Sequence, residues 1–257
     1  MFTGVLDKTQ LRISVIIPAL NEAYNLPHVL PKLPEWVDEV ILVDGGSTDG
    51  TPNVAREILP GLKVLRQTGK GKGNALREGF EAATGDIIVM MDADGSTNPS
   101  EIPAFIALLA AGADYVKGSR FMQGGGSEDI TAIRKLGNWA LLVVVRLVFH
   151  CQYSDLCYGY NAFWAHYLPC LNPDVDGFEI ETALNLRALK SGLNVAEIPS
   201  FEDRRIYGES HLRALPDGLR ILKTIFKEWL GRFNWYPNRV SDRCSGESEK
   251  SYAPHAA

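Results

Sequence analysis

The sequence predicts an α/β fold, a mostly parallel central sheet flanked by helices, in one domain with a C-terminal helical extension. Three observations carry this reading. Short, continuous apolar runs recur through residues 13–120, as strands buried on both faces require. Helical patterns with recognisable caps fall between them. Three of the runs end in acidic or amide-bearing turns, at the edge where open α/β sheets bind ligands.

The first strand is expected over 13–17, stopped by Pro18. A helix over 25–33 follows, weakened by Pro27 and Pro31. Val40-Ile41-Leu42-Val43 is a second strand, ending at Asp44. A helix over 51–59 has Thr51 as N-cap and Pro52 at its first position. Lys63-Val64-Leu65-Arg66 is a short third strand, and a helix over 74–83 follows a glycine-rich turn. The fourth strand, 87–91, ends at Asp92. Asn98, Pro99 and Glu101 form a capping-box pattern for a helix over 98–110. The fifth strand, 115–118, ends near Ser119.

Beyond 120 the pattern is less regular. Residues 123–127 are glycine-rich and read as a mobile loop. Helices are expected over 134–150, 178–191 and 215–233, the second closed by Gly192, with a strand over 194–199. The folded unit is expected over 12–233, with a loose arm at 1–11 and a disordered polar tail at 238–257.

At 257 residues and 46% hydrophobic content the chain can bury one substantial core. Disorder, collagen and a disulfide-stapled mini-protein are excluded. A net charge of −5 argues against a general nucleic-acid binder. Cys151, Cys157, Cys170 and Cys244 show no paired-cysteine motif, so no structural zinc site is expected. They read as reduced thiols, three in the core and one in the tail. The N-terminus lacks a basic region followed by an apolar stretch, which points to a cytoplasmic protein. The run from Trp139 to Val145 is broken by Arg146 and resumes to Phe149. A membrane span needs about 20 apolar residues. The stretch is therefore a core helix or an interfacial segment with Arg146 snorkelling.

The acidic strand ends are Pro18-Ala19-Leu20-Asn21-Glu22, Asp44-Gly45-Gly46-Ser47-Thr48-Asp49-Gly50-Thr51 and Asp92-Ala93-Asp94-Gly95-Ser96. Asp92 and Asp94 place two hard oxygen donors on one turn, suited to Mg²⁺ or Mn²⁺ shared with phosphate oxygens and water. Such an ion would help a diphosphate depart. The alternative is a solvated turn with helix-capping aspartates. Calcium of the EF-hand type is excluded, because the sixth and twelfth positions would be Thr97 and Pro103. Gly69-Lys70-Gly71-Lys72-Gly73 precedes a helix and suits phosphate, but fits neither the dinucleotide fingerprint nor the P-loop.

These four blocks, in this order and spacing, resemble the family 2 glycosyltransferases of GT-A fold. Gly118-Ser119-Arg120-Phe121, Gly159-Tyr160-Asn161-Ala162-Phe163, residues 176–181 and residues 204–210 extend the resemblance to the dolichyl- or polyprenyl-phosphate sugar synthases. The similarity covers about residues 12–230. It implies that Pro18, Ala19, Asn21, Glu22, Asp44, Gly46, Lys72, Gly73, Asp92 and Ala93 bind a GDP- or UDP-hexose. Asp92 and Asp94 would serve the metal and diphosphate. Arg120 and Arg134, with Asn138 beside them, would hold an acceptor phosphate, as arginine's planar fork suits phosphate oxygens. Arg204 or Arg205 would sit on a loop closing over the diphosphate, and Asp94, Arg120, Arg134 and Arg205 form the expected catalytic set. The chain departs from the family pattern at Gly45, where many relatives carry an acid, at Ser96, and at His211.

Each arginine has a plainer alternative. Arg120 and Arg134 would pair with Glu128 or Asp129, and Arg204 and Arg205 would be ordinary surface charges. Asp176 and Glu179 also match a capping box. The implied reaction is inverting transfer of a hexosyl group to polyprenyl phosphate, at a peripheral membrane contact or beside a membrane partner. A phosphate acceptor is already anionic and needs orientation rather than a strong base. A hydroxyl acceptor would need a carboxylate such as Asp176, Glu179 or Glu181. The remaining alternatives are therefore transfer to a glycan hydroxyl, and nucleotide-sugar binding without turnover. Residues 204–239 carry eight Lys and Arg against three Asp and Glu, a basic segment suited to an anionic partner.

Overall fold

The computed structural model describes residues 11–209 and 212–231. The chain opens with strand β1 (Ile13–Ala19), helix α1 (Leu26–Val29) and a 3-10 turn over 30–32. The single helix expected over 25–33 is thus divided. Pro27 starts α1 and Pro31 starts the 3-10 turn, each lacking the N–H that would continue a longer helix. There follow β2 (Glu39–Asp44), α2 (Thr51–Ile58), β3 (Lys63–Arg66), α3 (Lys72–Ala82) and β4 (Ile87–Met90). After a 3-10 turn over 99–101 come α4 (Ile102–Ala110), β5 (Tyr115–Ser119), β6 (Gly126–Ser127) and α5 (Ala132–Phe149). The rest comprises β7 (Asn161–Trp164), α6 (Leu168–Leu171), α7 (Ile180–Lys190), β8 (Val195–Pro199), β9 (Phe201–Glu202) and α8 (Ala214–Leu230).

The main sheet runs in the order β3-β2-β1-β4-β7-β5-β8. All neighbours are parallel except β7, which is antiparallel to both β4 and β5. Alternate residues of the buried strands face opposite layers. Val15, Ile17 and Leu42 pack with Leu26, Phe105 and Leu109 of α1 and α4. Ile16, Ile41 and Met90 pack with Leu76 and Phe80 of α3 and Leu184 of α7. Burial on both faces is why these strands read as unbroken apolar runs. A third cluster joins Leu142 and Val145 of α5 to Ile221 and Ile225 of α8.

Several local expectations are corrected. β1 passes through Pro18 instead of stopping at Ile17. The Ile16 carbonyl accepts from Met91 and the Ala19 carbonyl from Gly45, so Pro18 faces the β4 side. Pairing with β4 ends at Ile16–Met90, and the missing N–H of Pro18 falls past it. Gly50, not Thr51, occupies the N-cap position of α2. The Thr51 hydroxyl instead accepts from the Glu22 amide at 2.8 Å and donates to Asp49 at 2.6 Å. Asn98 caps its helix by accepting from Ser100. Glu101 completes no box, because its carboxylate accepts from Ser200 and the Phe201 amide. Part of the expected mobile loop, Gly126–Ser127, is β6, paired with β9. Cys151 and Cys157 are free and only partly buried. Cys170 is disulfide-bonded, not a reduced core thiol, since sequence spacing does not report which sulfurs meet in space. Cys244, the C-terminal tail, residues 1–10 of the expected arm and His211 lie outside the described residues.

Candidate active site

Beyond the carboxyl ends of the central strands lies a cavity of about 510 Å³. Pro18, Ala19, Leu20 and Glu22 line it from the end of β1, Gly45 from β2, and Gln67 and Lys70 from the segment after β3. Asp92, Ala93 and Asp94 enter from β4. Arg120, Arg134, Glu181, Glu202 and Arg205 add charged lining from later in the chain. Of the expected acids and arginines, Glu22, Asp92 and Asp94 meet Arg120, Arg134 and Arg205 in one cavity.

Three ion clusters organise it. In the first, Lys72 Nζ lies 2.5 Å from Asp92 and 2.7 Å from Glu181. Burial works against the Lys72 ammonium, but the two carboxylates outweigh it and raise its pKa. Gly159 makes room for this cluster: a Cβ there would lie 2.7 Å from Lys72 Nζ and 3.0 Å from Asp92 Oδ2. Lys72 is thus the internal counter-ion of Asp92, besides lying in the turn expected to cradle phosphate.

In the second cluster Arg205 bridges two strand ends. Its Nη1 is 2.9 Å from Glu22 Oε1 and its Nη2 is 2.9 Å from Asp94 Oδ2. Burial opposes the Arg205 charge, yet Asp94 and Glu22 raise its pKa. Burial also pushes the Glu22 carboxyl up, against the pull of Asn25 and Arg205. The segment carrying Arg205 is strapped down by backbone contacts. Ile206 N–H donates to the Asp94 carbonyl and Asp203 N–H to the Ser96 carbonyl. Asn25 accepts from the Tyr207 amide and donates to its carbonyl. Arg204 is exposed and does not line the cavity.

In the third, Arg120 is held by Asp155 through Nε at 2.7 Å and Nη2 at 3.0 Å, and by Glu202 through Nη1. Its guanidinium lies 4.9 Å over the Tyr158 ring. Burial raises the Asp155 carboxyl, but Arg120 outweighs it and holds the pKa below the ordinary range. Arg120 therefore faces the cavity with Nε and both Nη atoms already on carboxylates, unlike the free phosphate ligand expected. Its partners are Asp155 and Glu202, not Glu128 or Asp129. Arg134 does pair with Asp129, at 3.1 Å, while remaining partly exposed in the cavity wall.

Five expected site residues do not line the cavity: Asn21, Asp44, Gly46, Gly73 and Asn138. Asn21 accepts from the Thr48 amide at 2.8 Å. Asp44 is buried and accepts from the amides of Gly46 and Ser47 in its own turn. Gly46 takes the left-handed φ of 89° that this turn needs. Gly73 is a close-packing position; a Cβ would lie 2.2 Å from the Val175 carbonyl oxygen. Asn138 is buried in α5 and accepts from the Leu156 amide, which ties the helix to the loop before β7.

Of the three carboxylates considered as bases, only Glu181 reaches the cavity. Burial pushes its pKa up and Lys72 pulls it down. Asp176 pairs with Arg77 at 2.8 Å, and Glu179 lies in the turn before α7. Their capping box does not form, because α7 begins only at Ile180.

Asp155, Glu202 and Gln67 were not singled out from sequence. Gln67 was within reach of the strand-end rule, since it immediately follows β3. Asp155 carried no such signal. Among the described residues, no cluster of three His, Cys, Asp or Glu side chains could hold a metal unaided. The Asp92–Asp94 turn brings two carboxylates to the cavity, the donor type that Mg²⁺ takes together with phosphate oxygens and water, and here they are paired with Lys72 and Arg205. No described helix is long and apolar enough to cross a membrane.

Residues 14–160 match the model of the family described as glycosyl transferase family 2. The undecaprenyl-phosphate mannosyltransferase of Micrococcus luteus is 32% identical, over 79% of this chain and 88% of that one. The polyprenol monophosphomannose synthase of Mycolicibacterium smegmatis is 30% identical, over 85% and 86%. A crystal structure of glucosyl-3-phosphoglycerate synthase from Mycobacterium tuberculosis, with Mn²⁺, UDP-glucose and phosphoglyceric acid, aligns at a TM-score of 0.67. It is 26% identical and covers 86% of this chain and 81% of that one. With the parallel sheet, the acidic strand ends and these similarities together, the chain belongs to the family 2 glycosyltransferases, and it is a glycosyltransferase of GT-A-like fold.

Proposed function

We propose that this enzyme transfers a hexosyl group, with inversion, from a nucleotide-diphosphate sugar to a polyprenyl phosphate. The observation that carries the reading is the position of Arg134. It opens on the same cavity as Asp92 and Asp94, partly exposed. The names of the Micrococcus and Mycolicibacterium relatives, both polyprenyl-type mannosyl transferases, support the same acceptor class.

On this reading Pro18 and Ala19 form the wall against the nucleoside, and Asp44 acts through the turn that it holds. Asp92 and Asp94 are the residues that would hold Mg²⁺ or Mn²⁺. When bound, the ion supplies positive charge to the diphosphate. Arg205 adds a second positive charge at the same point, beside Asp94. Arg134 grips the acceptor phosphate, and Arg120 positions the surrounding wall through Asp155 and Glu202. An acceptor phosphate oxygen forms the new bond to the anomeric carbon. The bond from that carbon to the diphosphate oxygen breaks, and the nucleoside diphosphate leaves with its electron pair. The anionic phosphate has no proton to lose, so no base is required. This accords with Glu181 being engaged by Lys72.

A membrane-side acceptor suits the outer surface of α5 and α8. Ile133, Leu136, Trp139 and Leu147 of α5 are exposed, as are Leu215, Leu219, Phe226 and Leu230 of α8. The interfacial alternative for residues 139–149 thus has more support than the core alternative. Arg146 is exposed on α5 and donates through Nε and Nη2 to the Tyr153 carbonyl. We infer that this apolar surface rests peripherally on the bilayer that holds the acceptor.

Incubation with labelled nucleotide sugars, Mn²⁺ and polyprenyl phosphate tests the reading. Label is expected in the organic phase only when the lipid phosphate is present. Arg134→Ala is expected to raise the lipid KM by about tenfold or more, the value of a charge-assisted hydrogen bond. Unchanged lipid-phosphate transfer by that variant would overturn the acceptor assignment.

A further inference from the structure

A nucleotide base is read through its polar edge, and the N–H groups of uracil or guanine need an acceptor. Of the obvious acceptors near this end of the sheet, Asp44 does not line the cavity and Glu22 is held by its neighbours. Asp44 accepts from the amides of its own turn. Glu22 accepts from Asn25 and Arg205. Position 45 is glycine and offers no side chain.

Gln67 lines the cavity beside Gly45. Its carboxamide orientation is fixed by partners that leave no choice. Gly69 N–H donates to Asn74 Oδ1 at 3.1 Å, which identifies that atom as the oxygen. Gln67 Nε2 then donates to Asn74 Oδ1 at 2.9 Å and to the Gly71 carbonyl at 2.8 Å. Both partners are acceptors, so both require the nitrogen. Gln67 Oε1 is thereby turned the other way. It lies 3.1 Å from where a Gly45 Cβ would stand, with the Ala19 carbonyl 3.4 Å from the same point. The Gln67 amide also donates to the Asp44 carbonyl at 2.9 Å, which ties this residue to the end of β2.

We propose that Gln67 Oε1 is the base-reading acceptor of this enzyme, with Gly45 kept bare so that the base can reach it. The inference rests on the nucleotide-sugar reading above and adds a specificity-determining residue to it. A neutral acceptor at this place accepts from uracil N3–H or from the N1–H edge of guanine. Cytosine presents an unprotonated N3 at the same place and can reach Oε1 only through its exocyclic N4–H. The carboxylate that an acid at position 45 would supply is replaced by a carboxamide from the neighbouring strand. A Cβ at position 45 would stand 3.1 Å from Oε1, so a side chain there would push the carboxamide aside by a few tenths of an ångström.

Calorimetric titration with GDP, UDP, CDP and inorganic pyrophosphate, each with Mn²⁺, tests this on the intact protein. The wild type is expected to bind GDP or UDP more tightly than CDP. Gln67→Leu is expected to weaken the better binder by about tenfold, with pyrophosphate changed by less than about twofold, the pattern of one lost base hydrogen bond. Gly45→Ser, which crowds Oε1 without touching its anchors, is expected to do the same. Unchanged GDP and UDP affinity in Gln67→Leu overturns the proposal. So does a parallel loss of pyrophosphate binding, which would mark Gln67 as a loop support only. A wild type that binds pyrophosphate but neither GDP nor UDP would overturn the donor reading itself, and this inference with it.

Discussion

Arg205 Nη2 lies 2.9 Å from Asp94 Oδ2 and holds the carboxylate expected to meet the donor diphosphate. The same guanidinium reaches Glu22 at the end of β1. One side chain from late in the sequence thus joins two strand ends from its first half. Arg205→Ala is expected to lower kcat by about 10²–10³-fold, the usual effect of removing a preorganised charge partner. Arg205→Lys should recover only part of this, since an ammonium cannot span both carboxylates as a fork does. Steady-state kinetics at saturating donor checks both variants.

Glu181 distinguishes a phosphate acceptor from a hydroxyl acceptor. As the counter-ion of Lys72 it has a positioning role, and Glu181→Gln should keep kcat within about tenfold of wild type. A general base would cost about 10²–10⁴-fold and would move the acidic limb of the pH–rate profile. Measuring kcat against pH for both proteins separates the two roles.

Asp155 is a stability determinant. Its folded pKa is lowered, so its contribution is present above the ordinary aspartate value of about 3.9 and is lost as pH falls through the folded value. Asp155→Asn leaves Arg120 buried beside one fewer carboxylate and should cost about 3–5 kcal/mol near neutral pH. The difference in Tm between variant and wild type should be largest near neutrality and shrink as pH falls below the aspartate range. Thermal melts across that range provide the check.

The exposed face of α5 is expected to govern vesicle binding. Replacing Trp139 and Leu136 with Asp should weaken sedimentation with anionic vesicles. It should leave nucleoside diphosphate binding unchanged, since neither residue lines the cavity. Each buried large apolar side chain is worth about 1.5–3 kcal/mol, so the double variant should lose most of its vesicle-bound fraction.

Much of the fold was legible because its strands are buried on both faces. Runs such as Ile87–Met90 are short, apolar throughout and bounded by turn residues, as strands covered on both faces are, and their ends mark the ligand edge. β7 was not read as a strand. Its four residues lie between β4 and β5, and its antiparallel pairing is set by tertiary position rather than by a local pattern. Asp92, Asp94 and Arg205 were legible because strand-end and motif position bring them to the cavity. Asn138 lies on the buried face of α5, away from the cavity lining, and the sequence does not show which face of that helix turns inward. Arg120 was recognised as a site residue, but its carboxylate partners were not. Asp155 and Glu202 stand 35 and 82 residues away in sequence and meet it only in three dimensions. Gln67 stands at a strand end that the sequence shows, but the direction of its carboxamide is set by Asn74 and the Gly71 carbonyl, which meet it only in the folded loop.

The central claim is that the acceptor presents a phosphate, and a paired transfer assay tests it most directly. The enzyme is given one labelled donor with either polyprenyl phosphate or the corresponding free polyprenol, and the organic-phase product is counted. The account predicts product from the phosphate alone, with the anomeric configuration inverted. Comparable transfer to the free alcohol, or retention of configuration, would contradict it.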